Sequence, residues 1–483
     1  MRFCDIEFGL NDADNELSYA DHLLKHGFID AHNAVNDLLH ARKFLVLGSK
    51  GSGKTAIGSK LETLSEEDEC LFVKKYNLGT FEYQTFTSIL DINEADEIKL
   101  PIQWEFILLI SLIDSFVKDR QCTCLGDVDY ESLILSLKNS GLLPNPDLKQ
   151  IISMVSSKGC LAGLKGYLSA NYSTECKVIP LDNKMLLKTV REACYSINTP
   201  SKHILVLDGL DDVITNQENQ KLALYGLITA ADIMNKEFSK NKVPAKVIVL
   251  CRDDIFEDLP GANLSKIRSD SSITLDWYQD TRDFRETNLI KLVNKRASYS
   301  LNRTDMDDIF THFLPEYIPH DRLVIKLILE NTRHRPRDLV SLMNQIQRHN
   351  RTRNPDSKPT INDIWNGLRT YSREYFRTEI ENELYGFITE EDRRKVLQLL
   401  GNLHMAQFTY EDICEIKNSN ERFSHLNLEE ILTKLFKCGA IGNFHWHNGN
   451  MYFTFAFRNP GIEFDPHQGI VIHKGLRKGL GIE

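Results

Sequence analysis

The chain lacks an excess of positive charge and any long uninterrupted apolar run. It carries 58 lysines and arginines against 68 aspartates and glutamates, so its formal net charge is −10. This balance argues against a protein held on nucleic acid by its overall charge, although a local basic face remains compatible with it. No segment approaches the roughly 18 consecutive apolar residues of a membrane span, and the acidic start Met1–Glu7 does not resemble a signal peptide. We therefore expect a cytoplasmic protein with no membrane contact.

Paired cysteines are also scarce. Of the ten cysteines, only Cys122 and Cys124 lie close together, and no second pair accompanies them. This spacing is a poor zinc signal, so we expect reduced and mostly buried thiols. Internal repeats and low-complexity tracts are missing too. With 42% hydrophobic and 26% charged residues, the 483-residue chain can form a sizeable core, spread over about two to four domains.

The most informative motif begins where an apolar run, Phe44 to Leu47, meets the glycine-rich stretch Gly48 to Thr55. This stretch has the form Gly-x-x-x-x-Gly-Lys-Thr, the P-loop. Its glycines let backbone N–H groups point inward around phosphates, and a helix starting near Lys54 adds its positive end. Lys54 is predicted to meet the β- and γ-phosphates, and the Thr55 hydroxyl is predicted to bind Mg²⁺. The predicted nucleotide-binding residues are Gly48, Ser49, Lys50, Gly51, Ser52, Gly53, Lys54, Thr55 and Ala56.

A second motif follows the apolar run Ile204 to Leu207, which is typical of a buried parallel strand. The run ends in acid, at the end of a strand where α/β sheets bind their ligands. Asp208 is predicted to hold Mg²⁺ together with Thr55. Asp211 or Asp212 could polarise the attacking water, and a solvated acidic turn is the alternative for these two.

Three arginines are candidates for sensing or stabilising phosphate charge. Arg252 follows an apolar strand and could sense the γ-phosphate, or it could pair with a neighbouring aspartate. Arg268 lies before the next strand, at a position that could reach a neighbouring subunit's site. Arg337 is the favoured candidate for folding over the phosphates, whereas Arg333 and Arg335 are expected to cap a helix or to be solvated.

Alternating strand and helix patterns predict an α/β fold with a parallel P-loop sheet. The predicted organisation is a helical lead-in (1–43), a P-loop core (44–279) with a large helical insertion (81–200), a helical lid (280–383), and a winged helix with a basic tail (384–483). The winged helix is predicted from three helical patterns and from an Asn448-Gly449 turn between two aromatic-rich runs.

Together these features resemble the AAA+/STAND class of P-loop ATPases. The resemblance rests on the P-loop, on Leu-Asp-Gly-Leu-Asp-Asp at 207–212, on Arg252 after its strand, on Arg-Pro-Arg at 335–337, and on the terminal winged helix. It implies ATP and Mg²⁺ as cofactors and catalysis assisted by Asp211, Asp212, Arg252, Arg268 and Arg337. It also implies a homo-oligomer that engages a separate effector protein.

The opening Phe8-Gly9, followed by the strand and P-loop, is similar to a poorly characterised bacterial group of P-loop ATPases whose genes often neighbour phage-defence functions. The first interpretation is therefore an ATP-dependent switch or assembly ATPase. The alternative is an initiator-type ATPase that binds nucleic acid through its winged helix and the arginine-rich stretch Arg333 to Arg353. A small-molecule kinase is disfavoured, because such enzymes rarely need a lid followed by a winged helix.

Overall fold

The computed structural model describes residues 1–79, 96–144, 147–156, 183–209, 218–261, 263–303, 308–385 and 387–482. The chain divides into two compact units. We call His32–Ser49 with Lys54–Leu275 the sheet unit, and Met1–Ala31 with Lys50–Gly53 and Asp276–Glu483 the helical unit. Lys50–Gly53, within the P-loop motif, belongs to the helical unit.

A five-stranded parallel sheet organises the sheet unit. Its strands are β1 (Leu45–Leu47), β2 (Leu71–Asn77), β3 (Lys202–Asp208), β4 (Ala245–Cys251) and β5 (Ser272–Thr274). Their order across the sheet is β2-β3-β4-β1-β5, and every neighbouring pair is parallel. The apolar runs of β1, β3 and β4 are buried, as expected for strands covered on both faces. The predicted α/β P-loop NTPase fold is confirmed.

Helices surround this sheet, including those of the insertion. They are Ala34–His40, Lys54–Glu67, Asp96–Lys118, Tyr130–Asn139, Leu148–Ser156, Asn183–Tyr195, Glu218–Asn241, Asp253–Glu257 and Leu264–Ser271. Two short strands, Thr123–Cys124 and Ile197–Asn198, pair antiparallel. The described parts of the predicted insertion are thus mostly helical.

Helix Asp96–Lys118 is the one helix among the described residues that is long and apolar enough to cross a membrane, by length and composition alone. However, 89% of its most apolar window is buried inside the protein. Trp104 is fully buried, and its indole N–H donates to the Ala223 carbonyl at 2.8 Å. Burial on all sides by protein is what distinguishes a core helix.

The helical unit begins with the N-terminal segment packed on its helices. Phe3 and Phe8 are buried in its core, and the Gln347 amide donates to the carbonyls of Phe3 and Ile6. Its helices before residue 384 are Ala13–Tyr19, Asp21–His26, Asn288–Ser300, Ile309–Phe313, Val324–Glu330, Pro336–Arg353, Ile361–Thr370, the π-helix Tyr371–Phe376, and Arg377–Glu383. Shorter elements are the 3₁₀ turns Phe3–Asp5 and Phe284–Glu286 and the paired strands Tyr317–Ile318 and Arg322–Leu323.

The C-terminal module of the helical unit (384–482) contains helices Glu390–Gly401, Tyr410–Ser419, Leu428–Lys437 and Lys474–Leu480 and the 3₁₀ turn Glu421–Phe423. Its strands are β6 (Gln407–Phe408), β7 (Ile441–His447), β8 (Asn450–Thr454) and β9 (Gly469–Ile472), in the antiparallel order β6-β9-β7-β8. Asn448 and Gly449 both have positive φ, 49° and 77°, as a two-residue hairpin turn requires.

The end of the described chain is more ordered than the basic tail expected from the sequence. Strand β9 lies inside the sheet, between β6 and β7. The following helix packs closely on its neighbours: a Cβ added to Gly475 would lie 2.2 Å from the Asn331 carbonyl oxygen. The basic residues of this segment therefore belong to a packed helix.

Candidate nucleotide-binding site

Lys54 is already directed into the loop that precedes it. Its side chain is 5% exposed, and its ammonium donates to the carbonyls of Gly48, at 2.9 Å, and Ser49, at 3.2 Å. Lys54 is also the first residue of the 14-residue helix Lys54–Glu67. The helix N-terminus and the ammonium thus place positive charge at the same point, which suits an anion.

Two glycines of the motif adopt a backbone conformation that other residues rarely take. The φ angle is 81° at Gly51 and 98° at Gly53. At Gly51 a Cβ would also lie 3.1 Å from the Arg337 Cβ, whereas at Gly53 it would meet nothing within 4 Å. At Gly53 the positive φ is the reason that glycine fits. At Gly51 both the positive φ and the close approach of the Arg337 Cβ favour glycine.

Ser52 carries a hydroxyl that has no partner although the residue is only 1% exposed. A buried polar group without a hydrogen bond costs free energy. A phosphate oxygen would supply the missing partner, so this residue fits a bound nucleotide. Thr55 and Ala56, in the first turn of the following helix, are half-buried.

Asp208 is the last residue of β3 and is 6% exposed. Its carboxylate accepts the Gly209 N–H at 2.8 Å. Since β3 and β1 are parallel, their carboxyl ends lie at the same edge of the sheet, as ligand-binding residues in such folds do. Among the described residues no cluster of three or more His, Cys, Asp or Glu could hold a metal. Mg²⁺ would fit here because it needs only one or two protein oxygens besides phosphate and water.

Asn77 was missed by the sequence analysis. It ends β2 and pairs in register with Asp208. Its side-chain oxygen accepts the Gly79 N–H at 2.8 Å and would lie 2.1 Å from a Cβ added to Gly209, whose φ is 75°. Asn77 therefore packs against Gly209, the residue directly after Asp208. The sequence predicts a strand from Leu71 to Tyr76, and the polar residue directly after it was the available signal.

Asp211 and Asp212, predicted to orient water, lie outside the described residues. Their roles stay predictions.

Arg252 is held by a neighbouring carboxylate. Its guanidinium donates to both carboxylate oxygens of Asp254, at 2.9 and 2.7 Å, and its side chain is 11% exposed. The ion pair considered as the alternative for this residue is present. A role as γ-phosphate sensor would require the guanidinium to exchange or share this partner.

Arg268 lies on helix Leu264–Ser271 and is paired with Glu257 at 3.2 Å. Both side chains are substantially exposed, at 40% and 46%. Exposed pairs contribute little to stability, so this contact leaves the guanidinium available for another partner.

Arg337 follows the first residue of helix Pro336–Arg353, and its backbone N–H donates to the Gly51 carbonyl at 3.4 Å. Its side chain is one-quarter exposed and lies 3.8 Å from a Glu379 carboxylate oxygen. The Nε atom is buried without a hydrogen bond. Of Arg333, Arg335 and Arg337, Arg337 thus has the most exposed side chain.

Arg335 occupies the N-cap position of helix Pro336–Arg353, although its side chain makes no capping hydrogen bond. The expectation that Arg333 and Arg335 are solvated is wrong. They are only 1% and 4% exposed. Arg333 forms two parallel hydrogen bonds with Asp338, at 2.9 and 3.0 Å, and Arg335 pairs with Glu383 at 3.0 Å. Their charges are paired inside the protein because carboxylates elsewhere in the sequence reach them. We call these four residues the buried ionic network.

The electrostatics of this network favour the charged forms. Burial alone would raise the pKa of the Asp338 carboxyl, but the charge and hydrogen bonds of Arg333 outweigh burial and hold that pKa well below its usual range. The Tyr375 hydroxyl also donates to Asp338 at 2.9 Å. The Arg333–Asp338 pair therefore stays ionised at neutral pH.

Comparison with known proteins covers part of the chain. Residues 287–378 match the model of the FunZ-associated C-terminal helical domain, which spans less than half of the chain. No curated protein sequence matches significantly. Among solved structures, the crystal structure of Cdc6p from Pyrobaculum aerophilum matches at 13% identity and a TM-score of 0.32, covering 93% of this chain and 92% of that one. A match at this TM-score supports no conclusion about fold or function.

Proposed function

We propose that this protein binds and slowly hydrolyses ATP and acts as a switch or assembly ATPase of the AAA+/STAND type. The observation that carries the proposal is the loop itself: a buried lysine ammonium lies against the Gly48 and Ser49 carbonyls at the start of a helix. The buried, unpartnered Ser52 hydroxyl adds a second feature that a phosphate would satisfy.

ATP and Mg²⁺ are the cofactors of this proposal. Thr55 and Asp208 are the residues proposed to hold the metal, which when bound neutralises phosphate charge. Lys54 binds the β- and γ-phosphates, and Asp211 or Asp212 orients water. Arg252 and Arg337 are the proposed sensors of phosphate charge within the chain.

We further propose a homo-oligomer in which Arg268 reaches a neighbouring subunit, together with a separate effector protein and a role in antiphage defence. The exposure of the Arg268 side chain supports the homo-oligomer. The resemblance of the motifs supports the effector protein and the role in antiphage defence. The proposed setting is the cytoplasm. It is consistent with the eight described cysteines, all of which are free thiols.

The phosphate site is tested by Lys54→Ala. Removing the ammonium should weaken ATP binding by roughly tenfold to a thousandfold, because charged hydrogen bonds to phosphate are lost. Isothermal titration calorimetry with ATP and Mg²⁺ measures this effect. Lys60→Ala, on the same helix but outside the motif, is the matched control and should bind as wild type does. Equal ATP binding by Lys54→Ala and wild type would contradict the assignment.

A second candidate function is nucleic-acid binding, favoured by the β7–β8 hairpin. Trp446, Tyr452 and Phe453 are 65%, 47% and 41% exposed, and His445 stacks on Tyr452. No acidic residue occurs between Glu430 and Glu463. Exposed aromatic rings without neighbouring carboxylates can stack on bases.

Three arginines of the arginine-rich stretch, expected to contact phosphates in this alternative, are instead held by carboxylates of this chain. Arg333 and Arg335 belong to the buried ionic network, and Arg353 is paired with Asp363 at 2.9 Å. A fluorescence-anisotropy titration with single-stranded DNA at two salt concentrations tests the hairpin. Trp446→Ala should weaken binding by roughly tenfold if a base stacks on this ring. ATP-dependent growth in mass without DNA would favour the switch.

A further inference from the structure

Three consecutive carbonyl groups of the P-loop accept hydrogen bonds from other residues of the helical unit. Arg335 Nη1 donates to the Lys50 carbonyl at 3.1 Å, and the Arg337 backbone N–H donates to the Gly51 carbonyl at 3.4 Å. The Trp277 indole N–H donates to the Ser52 carbonyl at 2.8 Å. The P-loop sequence motif accounts for the groups that face the phosphates. It does not account for these three contacts, which are made to the loop's carbonyl oxygens.

Peptide geometry gives these contacts a consequence. In a planar trans peptide, the C=O of one residue and the N–H of the next point in opposite directions. Fixing the carbonyls of Lys50, Gly51 and Ser52 therefore turns the following three N–H groups to the other side. A phosphate-binding loop requires such a set of N–H groups pointing into one concavity.

The two side-chain donors are themselves firmly held. Trp277 is 8% exposed. The same Arg335 Nη1 also donates to Glu383 at 3.0 Å, and Glu383 lies 3.5 Å from Arg333. The donor on Lys50 is thus anchored by the buried ionic network. Groups held in place before binding lower the ordering cost of binding.

We propose that Trp277 and Arg335 are positioning residues that hold the P-loop backbone in its phosphate-binding form before nucleotide arrives. The inference rests on the proposed ATP site. It adds that nucleotide affinity depends on two side chains that donate to loop carbonyls and need not touch the nucleotide.

Trp277→Phe tests the proposal because it keeps an aromatic ring and removes the donor. ATP affinity at 25 °C, measured by calorimetry with Mg²⁺, should fall about three- to tenfold, the effect of one hydrogen bond. Trp365→Phe is the matched control; Trp365 lies on helix Ile361–Thr370, where Lys478 lies 5.3 Å from its ring centre. It should bind ATP as wild type does.

A spectroscopic signature separates positioning from a general structural role. Tryptophan emission should change when ATP is added to wild type and to Trp365→Phe, and this change should be lost in Trp277→Phe. Arg335→Lys keeps the charge beside Glu383 and should bind ATP better than Arg335→Met. This order of affinities should hold at temperatures where circular dichroism shows both variants folded.

The outcomes distinguish the two proposals. If wild type does not bind ATP, the proposed function itself is wrong. If wild type binds ATP and Trp277→Phe binds equally well, the positioning role is wrong while the ATP site stands. If Trp277→Phe does not fold, equal ATP affinity in Arg335→Lys and Arg335→Met would overturn the inference.

Discussion

The sheet unit and the helical unit bury charge in different ways. In two Lys or Arg ion pairs of the sheet unit, a buried carboxylate pairs with a base that keeps contact with water. Asp114 is 2% exposed while its partner Lys118 is 44% exposed, and Glu105 is 5% exposed while Arg191 is 40% exposed. In each pair the cation keeps part of its hydration, so the desolvation cost falls mainly on one partner.

In the helical unit, the pairs Arg333–Asp338 and Arg296–Glu16 have both partners buried. Arg333 and Asp338 are each 1% exposed, and Arg296 and Glu16 are 8% and 3% exposed. Neither member can recover water if the other is removed. Such pairs specify which segments must come together, and they make the fold vulnerable at single positions.

The largest expected effect comes from breaking one fully buried pair. Asp338→Asn leaves the Arg333 charge buried with Glu383, at 3.5 Å, as its remaining carboxylate partner, and should lower the free energy of unfolding by roughly 3–5 kcal/mol. Asp114→Asn is the matched change in the sheet unit. There Lys118 can turn to water, so the loss should be about 1 kcal/mol or less. Urea unfolding followed by circular dichroism measures both, and equal losses would remove the contrast between the units.

One buried histidine in each unit extends this comparison to the dependence of stability on pH. In the helical unit, burial, aided by the charge of Arg458, lowers the pKa of His334 from 6.5 to about 4. In the sheet unit, burial lowers the pKa of His203, but Asp119 opposes the shift. An unfolded chain takes up a proton near pH 6.5, before folded His334 does. Stability is therefore lost as pH falls from about 6.5 to about 4, by up to about 3 kcal/mol from His334.

His334→Asn should flatten this acid dependence, since asparagine cannot take up the proton and tolerates the positive φ of 51° at this position. The measurement is the slope of unfolding free energy against pH between 4 and 6.5, which separates the proton effect from any packing loss. An unchanged slope would show that His334 does not titrate as its surroundings require.

A smaller effect is expected at the turn after β3. Gly209→Ala forces a side chain into a φ of 75° and against the Asn77 oxygen, so it should cost about 2 kcal/mol of stability. In an Asn77→Ala background the clash with the Asn77 oxygen is gone, while the backbone strain and a 3.0 Å approach to the Gly79 nitrogen remain, so the same substitution should cost less, about 1 kcal/mol. Thermal unfolding of the four proteins in this cycle gives the difference. Identical costs in both backgrounds would mean that Asn77 does not pack on the turn.

The sequence predicted the sheet unit better than the helical unit, and the reason is physical. Continuous apolar runs such as Ile204 to Leu207 indicate buried strands directly, and the P-loop pattern requires glycine where φ is positive. Arginine, by contrast, is usually exposed, so Arg333 and Arg335 looked like surface residues. Burying them depends on Glu383, about fifty residues away in the chain, and such long-range pairing leaves no local pattern.

Other parts of the structure could not be inferred for the same reason. Strand β9 forms only because β6 and β7 hydrogen-bond to it, and its four residues follow a segment without a strand pattern. The hydrogen bond from Trp277 to the Ser52 carbonyl joins residues 225 positions apart. The motif identifies the groups that face phosphate, whereas the groups that hold the loop from behind are visible only in three dimensions.

The smallest expected effect on stability is at Arg268, whose exposed pair with Glu257 contrasts with the buried pair of Arg296 and Glu16. Arg268→Ala should change the free energy of unfolding by about 0.5 kcal/mol or less. If Arg268 acts on a neighbouring subunit, however, the variant should lack ATPase activity. Adding an excess of Lys54→Ala subunits should then restore turnover, because their Arg268 can serve the intact P-loops of the variant. An arginine acting within its own chain gives no rescue. A protein that stays monomeric with saturating ATP and Mg²⁺, by light scattering, would rule out action between subunits and leave Arg337 to stabilise charge within one chain.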